Sequence, residues 1–252
     1  EEGPETVAAF IAEPVMGAGG VVVPPKGYFE KIQAVLKKYE VLMIADEVIC
    51  GFGRTGNMWG SQTFGIKPDI LTCAKALSSA YLPISAVMIS EEIFQGLRGN
   101  SEKLGLFGHG YPYSAHPACA AVALRTQELM QERDIIGHVK AVSPHFQKRI
   151  AKLGEHELVG HARGVGLIGA VEIVADKATK RSYDPAAKIG ALIQNACQEH
   201  GLITRAMPGD ILGFCPPLII TSDEIDEMFD RFTNALDETA RQIKQEGASA
   251  AQ

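Results

Sequence analysis

The sequence predicts an α/β fold, because short apolar runs alternate along the chain with segments of helical periodicity. Four of the runs are almost entirely apolar, as is typical of strands buried on both faces of a mostly parallel sheet. The predicted strands of this sheet are residues 7–12, 41–45, 70–73 and 84–89. Helical spacing between and after them predicts three helices, at residues 28–39, 117–131 and 132–153.

The last of these helices contains Ser143 and Pro144, and we expect a break there because proline lacks the N–H that a helix interior uses. Beyond it the pattern changes to shorter elements. We predict strands at 165–173, 202–204 and 211–214, and helices at 185–200 and 222–244. Ser222 is the expected N-cap of the final helix, without a capping box because Ile225 stands three residues on. The change in character predicts two domains, residues 1–145 and residues 146–252.

Composition limits the classes of function. The chain has 252 residues, 46% of them hydrophobic, and a net charge of -6. This balance offers no basic surface for nucleic acid or for an acidic membrane surface, and no apolar run reaches transmembrane length. The five cysteines form no C-x-x-C pair. They are typical of reduced core residues in a cytoplasmic protein.

A glycine-rich segment, Gly51 to Gly56, matches G-x-G-x-x-G and follows a predicted strand. A dinucleotide-binding site is one interpretation. However, the residues that follow include Trp59 and other turn formers rather than a helix start. The nearby acids Asp46 and Glu47 also precede the glycines instead of following them by about twenty positions. A plain glycine-rich loop is the favoured interpretation.

Two charged residues stand at the ends of predicted buried strands. Asp46 follows the second strand, and Lys75 follows the third by two positions. Each alone is compatible with a surface residue at a strand end. Together they are compatible with a pyridoxal phosphate site. There a partly desolvated lysine forms a Schiff base, and a carboxylate keeps the pyridine nitrogen protonated. Parallel strands would bring both to one edge of the sheet.

His109 and His116, seven positions apart, could suggest a metal pair. No acidic ligand lies near them in sequence, and the segment is rich in loop residues. We expect structural histidines and no metal site.

The longer motifs carry a resemblance to a known family. They are residues 13–20, 44–56, 67–70, 70–83, 209–211 and 214–219. In this combination the chain resembles the class III aminotransferases, pyridoxal phosphate enzymes of fold type I, over nearly its whole length. Segments 81–87 and 109–117 resemble the omega-amino acid or amine:pyruvate transaminases of that class. The resemblance implies that residues 1–145 are part of a large, cofactor-binding mixed-sheet domain and 146–252 a small α+β carboxyl-terminal domain.

The same resemblance implies roles for five residues. Lys75 would be the Schiff-base lysine and proton shuttle. Asp46 would pair with the pyridine nitrogen, and Val48 would pack on the ring. Glu13 matches an acid that in some relatives faces an active-site arginine. Arg205 matches a mobile arginine that binds the substrate carboxylate.

Three departures qualify these roles. Gly213 stands where ornithine- and GABA-type relatives have an arginine, which argues against those substrates. Pro112 stands where relatives have a threonine that binds the cofactor phosphate, and proline lacks both of its donors. The family's glycine- and serine-rich phosphate cup has no counterpart here, so the chain resembles the carboxyl-terminal part of an aminotransferase.

The implied activity is transfer of an amino group from an omega-amino acid or amine to pyruvate or a similar 2-oxoacid. Both substrates are small molecules, and the family's shared sites imply a homodimer or larger assembly. Two alternatives stay open. One is a same-fold aminomutase or decarboxylase. The other is a truncated, non-catalytic remnant that lacks the phosphate cup.

Overall fold

The computed structural model describes residues 2–250, and its contacts divide the chain into two compact units. The first unit comprises residues up to Val15 and 24–136; the second comprises 16–23 and 137 onward. The main division therefore lies nine residues before the predicted one at 145/146, and a short early segment belongs with the later part of the chain. The assignment of 1–145 as a cofactor-binding domain and 146–252 as a small domain remains a prediction.

The sheet of the first unit has four strands, and their order in the sheet follows the chain. The strands are β1 (Ala9–Ala12), β2 (Leu42–Asp46), β3 (Ile70–Cys73) and β4 (Ala86–Ile89). β1, β2 and β3 are mutually parallel, and β4 runs antiparallel beside β3. The four apolar runs thus form the predicted strands, with bounds that shift by no more than two residues.

The helices of the first unit include two that the sequence did not predict. They are α1 (Tyr28–Lys38), α2 (Gly60–Phe64), α3 (Glu91–Leu104) and α4 (Pro117–Glu132), of which α2 and α3 are the unpredicted pair. Helix α1 buries Phe29 against Met43 of β2 and Ile66. Helix α4 starts with Pro117, which needs no N–H donor in the first turn.

The second unit contains α5 (Ile135–Leu153) apart from its first two residues, and a second sheet. Its strands are β5 (Val159–Val165), β6 (Ile168–Ile173), β7 (Arg205–Met207) and β8 (Ile211–Phe214), in the antiparallel order β5-β6-β8-β7. The predicted strand at 165–173 is confirmed for residues 168–173, which form β6, but its start was wrong, because Gly166, at φ 59°, lies in the hairpin turn between β5 and β6. The predicted strand at 202–204 was also wrong, since β7 begins at Arg205.

Two helices complete the second unit, α6 (Ile189–Glu199) and α7 (Ser222–Ala250). The predicted N-cap Ser222 was wrong, because Ile225 donates its N–H to the carbonyl of Thr221 and Thr221 caps the helix. Thr221 N and Oγ1 donate to Glu224 Oε2 at 2.8 and 2.9 Å, and Glu224 N donates back to Thr221 Oγ1. These reciprocal bonds form a capping box, which was not predicted because the predicted N-cap lay one residue too late.

Helix α5 continues through Pro144, so the predicted break was wrong. Proline removes one hydrogen bond to the preceding turn. In the same turn, the Ser143 hydroxyl donates to the Val139 carbonyl at 2.6 Å. The helix then supplies Phe146, which packs in a ring cluster with Phe229 of α7, itself in contact with Phe214 of β8. This aromatic cluster is the centre of the second unit.

The early segment 16–23 is fastened to the second unit by one arginine. Arg163 of β5 donates from Nε to the carbonyls of Gly20 and Val21, at 3.0 and 3.2 Å. Its Nη1 donates to Glu172 Oε2 at 2.9 Å. Three carbonyl or carboxylate acceptors therefore hold one largely buried guanidinium. We refer to these contacts as the Arg163 clasp.

Candidate functional site

Candidate site residues follow the carboxyl ends of three neighbouring parallel strands. Glu13 comes directly after β1, Asp46 is the last residue of β2, and Lys75 follows β3 by two positions. Asp46 lies opposite Thr72 in the register of β2 with β3. Because parallel strands end at one edge of a sheet, Glu13, Asp46, Val48 and Lys75 lie along the same edge.

The Asp46 carboxylate is oriented by the chain that follows it. Its Oδ1 accepts the N–H of Val48 at 3.0 Å, which forms a turn of the kind that Asp commonly makes two residues along. Both residues are half-buried. The carboxylate is therefore held at the strand end while part of it stays accessible.

Glu47, next to Asp46, is the residue whose role the sequence did not predict. Its side chain is completely buried. It accepts the N–H groups of Gly60 and Ser61 at 2.8 and 2.6 Å, and the Ser61 hydroxyl as well. The carboxylate thus pairs with donors at the start of α2 and fixes the loop that leaves β2. The sequence did contain a signal for this role. Side chains of successive residues in an extended strand point to opposite faces of the sheet, so Glu47 is expected to point away from the side that Asp46 faces.

The glycine-rich segment lies between these two anchored points. Residues 51–56 form turns, and the next helix is the five-residue α2. Phe52, Gly53 and Gly56 all have positive φ, of 60°, 103° and 90°. The segment is therefore a tightly turned loop closed by the Glu47 contacts, as the plain-loop interpretation expects.

Lys75 lies in an unusual backbone conformation. It opens a 3₁₀ turn, Lys75–Leu77, with φ 46°, in the left-handed region that side chains rarely adopt. Ser79 and Ala80 also have positive φ, of 48° and 60°. The Lys75 carbonyl accepts the N–H groups of Ser78 and Ala80, both at 3.2 Å. Such strain persists where surrounding contacts enforce it, and it concentrates at functional sites.

The partly desolvated lysine expected from the sequence is not observed in this chain, because the Lys75 side chain is exposed, whereas Ser78 of the same turn is buried. Ser78 Oγ donates to the Leu82 carbonyl at 2.7 Å and closes the turn. We call residues 75–82 the lysine turn. Its inner residues are tied to the protein, and its amine is presented to the outside.

Arg205 belongs to the other unit. It is the first residue of β7, is exposed, and pairs with Gly213 of β8. The second unit thus places Arg205 directly across from the position where the sequence lacks an arginine. Its role towards the other four residues remains a prediction.

The segment around the two histidines is exposed. His109, Pro112 and His116 all lie on the surface between α3 and α4, and the histidine rings contact aromatic neighbours, Tyr111 and Tyr113 among them. Within residues 2–250, no three His, Cys, Asp or Glu side chains converge as a metal site would require. Nor does any helix in this range have the length and apolar character needed to cross a membrane.

The cysteines divide between core and surface. Cys50, Cys73 and Cys197 are buried, and burial raises the pKa of Cys50 and of Cys197 to about 12, which leaves both thiols protonated and unreactive. Cys119 is half-buried and Cys215 is exposed, so the prediction that all five are core residues was wrong for these two.

Comparison with known proteins identifies relatives over nearly the whole chain. The family model for class III aminotransferases matches residues 1–236. An uncharacterized aminotransferase, y4uB, of Sinorhizobium fredii is 51% identical over 90% of this chain and 49% of its own length. Gamma aminobutyrate transaminase 1, mitochondrial, of Solanum lycopersicum is 47% identical over 97% of this chain and 47% of its own.

A solved structure gives the same result for the fold. The omega transaminase from Pseudomonas jessenii, in complex with PMP, superposes with a TM-score of 0.93 at 49% identity. The match covers 96% of this chain and 53% of that one. The chain therefore spans about half the length of the relatives it matches.

Proposed function

Since this chain belongs to the class III aminotransferase family, we propose that it carries the lysine-bearing part of a pyridoxal phosphate-dependent transaminase. The proposed reaction moves an amino group from an omega-amino acid or amine to pyruvate or a similar 2-oxoacid. The observation that carries this proposal is the placement of Asp46 and Lys75 after neighbouring parallel strands, at one edge of the sheet.

The residues at this edge fit the cofactor. Asp46 offers an oriented, half-buried carboxylate, and Lys75 offers an exposed primary amine from a strained turn. When bound, pyridoxal phosphate supplies an aldehyde for the lysine amine and a protonated ring that accepts the electrons left when a bond to the substrate carbon breaks. Asp46 is proposed to keep that ring nitrogen protonated. Val48, fixed beside it, is proposed to pack on the ring.

Lys75 has two proposed tasks. Its Nζ holds the cofactor between reactions. Once the donor amine has displaced it, the same Nζ removes a proton from the amine-bearing carbon of the donor and returns it in the next step. An exposed amine on a rigidly tied turn suits both tasks, because it must move over a short distance without losing its place.

The test of the lysine assignment uses visible absorbance of the purified protein titrated with pyridoxal 5′-phosphate. We expect Lys75→Ala to lose the cofactor band and at least about a thousandfold of the transaminase activity. Lys67→Ala removes an exposed amine from the same unit and should change neither. A cofactor band that persists in Lys75→Ala would contradict the assignment. Product formation without pyruvate would instead favour the mutase or decarboxylase alternative.

Arg205 is proposed to bind the carboxylate of the oxoacid, since a planar guanidinium suits a carboxylate in two-pronged contact. We expect Arg205→Ala to lower kcat/KM for pyruvate by about 10- to 100-fold, and to leave amines without a carboxylate nearly unaffected. Arg241→Ala is an exposed control in the same unit. Equal losses for both substrate types would count against an anchoring role.

Glu13 is proposed to face the substrate side of the site, because it follows β1 at the same edge. The choice of donor stays open. Gly213 argues against gamma-aminobutyrate, whereas the name of the Solanum lycopersicum relative argues for it. Comparing gamma-aminobutyrate with a carboxylate-free amine as donor would decide between them.

Assembly and location are proposals as well. Exposed apolar side chains are frequent from the last residue of α3 onward, among them Leu104, Leu106, Phe107, Tyr111 and Tyr113. Several exposed apolar side chains within one short segment support a protein partner, and we propose a second copy of the chain in a homodimer or larger assembly. Sedimentation of the purified protein checks this. A cytoplasmic location remains a prediction; the Solanum lycopersicum relative is named as mitochondrial.

A further inference from the structure

One side chain of helix α4, Gln127, donates hydrogen bonds to the lysine turn. Gln127 Nε2 donates to the Leu77 carbonyl at 3.0 Å and to the Ala76 carbonyl at 3.4 Å. These are the two residues directly after Lys75. The Ala76 carbonyl also accepts the Ser79 N–H at 3.3 Å, from within the lysine turn. The Leu77 carbonyl stands at the end of the 3₁₀ turn, where no helical donor follows, and its donor is Gln127, 50 residues away along the chain.

The other end of the Gln127 amide is unusual. Its Oε1 is buried and accepts no hydrogen bond from any residue that the structure describes. Only the NH₂ group can face two carbonyls, so the orientation of the amide is set by the turn. An apolar side chain of similar length would avoid the unfavourable buried oxygen. The presence of an amide here is therefore explained by what its NH₂ group holds.

The helix also makes an apolar contact at the same place. Met130, three residues after Gln127 and so on the same face of α4, packs on the cluster of Phe52, Leu71 and Cys73. Ala76 and Leu77 of the lysine turn pack on that cluster too. Packing alone would bring α4 and the turn together. The Gln127 bonds additionally fix the rotation of the peptide planes that follow Lys75.

We propose that Gln127 is a positioning residue for Lys75, a proposal that rests on the function assigned to that lysine above. By holding the carbonyls of Ala76 and Leu77, Gln127 keeps Lys75 at its positive φ and directs the amine from the sheet edge. Loss of these two bonds lets the turn relax towards ordinary φ values. The amine then spends less time in the place where it meets the cofactor aldehyde.

The experiment measures how fast Lys75 reacts. The full protein is mixed with pyridoxal 5′-phosphate, whose aldehyde condenses with the lysine amine and releases water. Borohydride then reduces the resulting C=N bond, and mass spectrometry quantifies the label on Lys75. We expect Gln127→Met to slow labelling about tenfold. We expect the same of Gln127→Asn, which keeps the amide on a side chain too short to reach the turn.

Two controls separate positioning from general loss of stability. Ala123→Gly weakens α4 one turn earlier, at a buried position without a side-chain hydrogen bond. It should lower the melting temperature but leave the labelling rate unchanged. Gln131→Met makes the same chemical change as Gln127→Met at an exposed site one turn later and should alter neither. Hydrogen exchange at the Ser78 and Ala80 amides, which bond to the Lys75 carbonyl, should accelerate only in the Gln127 variants.

The outcomes are distinct. Normal labelling and normal exchange in a folded Gln127→Met or Gln127→Asn protein would overturn the proposal. So would equal slowing in Ala123→Gly, which would reduce Gln127 to a contributor to stability. If Lys75 is not labelled even in the unmodified protein, the proposed function fails, while the exchange measurement still decides whether Gln127 holds the turn.

Discussion

The two units of this chain bury their side chains in different ways. In the second unit the largest fully buried side chains are aromatic and aliphatic, including Phe146, Phe229, Leu212 and Ile193. In the first unit the corresponding residues, among those described, are only Glu47 and Val15. Most of the exposed large apolar side chains also lie in the first unit, for example Ile11 of β1 and Val87 of β4.

This difference shows which interactions determine the structure of each unit. The second unit rests on a closed apolar core, which is stabilised by the area that it removes from water. Around the candidate site, the first unit depends instead on a few directed polar contacts, those of Glu47, Asp46 and Gln127. Directed contacts hold a backbone in a specific, strained shape, which packing alone does less well.

The largest expected effect tests the apolar core. Phe229 is fully buried and touches both Phe146 and Phe214. We expect Phe229→Ala to lower the free energy of unfolding of the second unit by roughly 3–5 kcal/mol, through lost burial and a residual cavity. Denaturant unfolding followed by hydrogen exchange in β6 and β8 measures it. Loss below about 1 kcal/mol would mean that the aromatic cluster is not the source of stability.

A smaller effect is expected at the polar anchor. Glu47→Gln keeps the shape but places an NH₂ group against the N–H groups of Gly60 and Ser61, which leaves donors unpaired. We expect a loss of about 1–3 kcal/mol, together with faster hydrogen exchange in the loop 48–59. Glu30→Gln makes the same change at an exposed site of α1 and should have almost no effect. A neutral Glu47→Gln would remove the contrast between the two units.

The smallest effect concerns the exposed start of α7. Hydrogen bonds from the Thr221 backbone and hydroxyl lower the pKa of Glu224 below its usual range. A carboxyl whose folded pKa is lowered stabilises the fold above its unfolded pKa, and the contribution fades as pH falls through the folded value. Glu224→Ala should therefore reduce the melting temperature slightly at neutral pH, and the difference should fade as pH falls below the ordinary glutamate pKa of 4.5.

The matched control for this change is Asp223→Ala, which removes a charge from the same turn without removing the capping bonds. Its melting curve should depend less on pH in that range. If both variants behave alike, the charge at the helix start, rather than the hydrogen-bonded box, accounts for the effect.

The parts of this molecule that sequence predicted are those with local signals. The apolar runs that form β1 to β4 indicate buried strands, and Asp46 and Lys75 can be recognised in the sequence as charges at strand ends. Helix α3 was not predicted because Gly96 and Gly99 weaken its helical pattern. The break predicted at Pro144 was wrong because helix α5 buries Phe146 shortly after it, and this packing is a tertiary effect without a local signal. The tie from Gln127 to the lysine turn depends on a contact 50 residues apart, for which no local pattern exists.

The Arg163 clasp has a consequence for how the chain assembles. It joins Arg163 to residues 142 and 143 positions earlier, and the whole of 24–136 lies between the two parts of the second unit. Segment 16–23 leaves the ribosome long before its partner exists, so it cannot find its place until β5 has been made. Closing so long a loop is entropically costly and slow. The first unit can therefore form its local contacts during translation. The second unit folds later, because its two parts, 16–23 and the residues from 137 onward, must first come together.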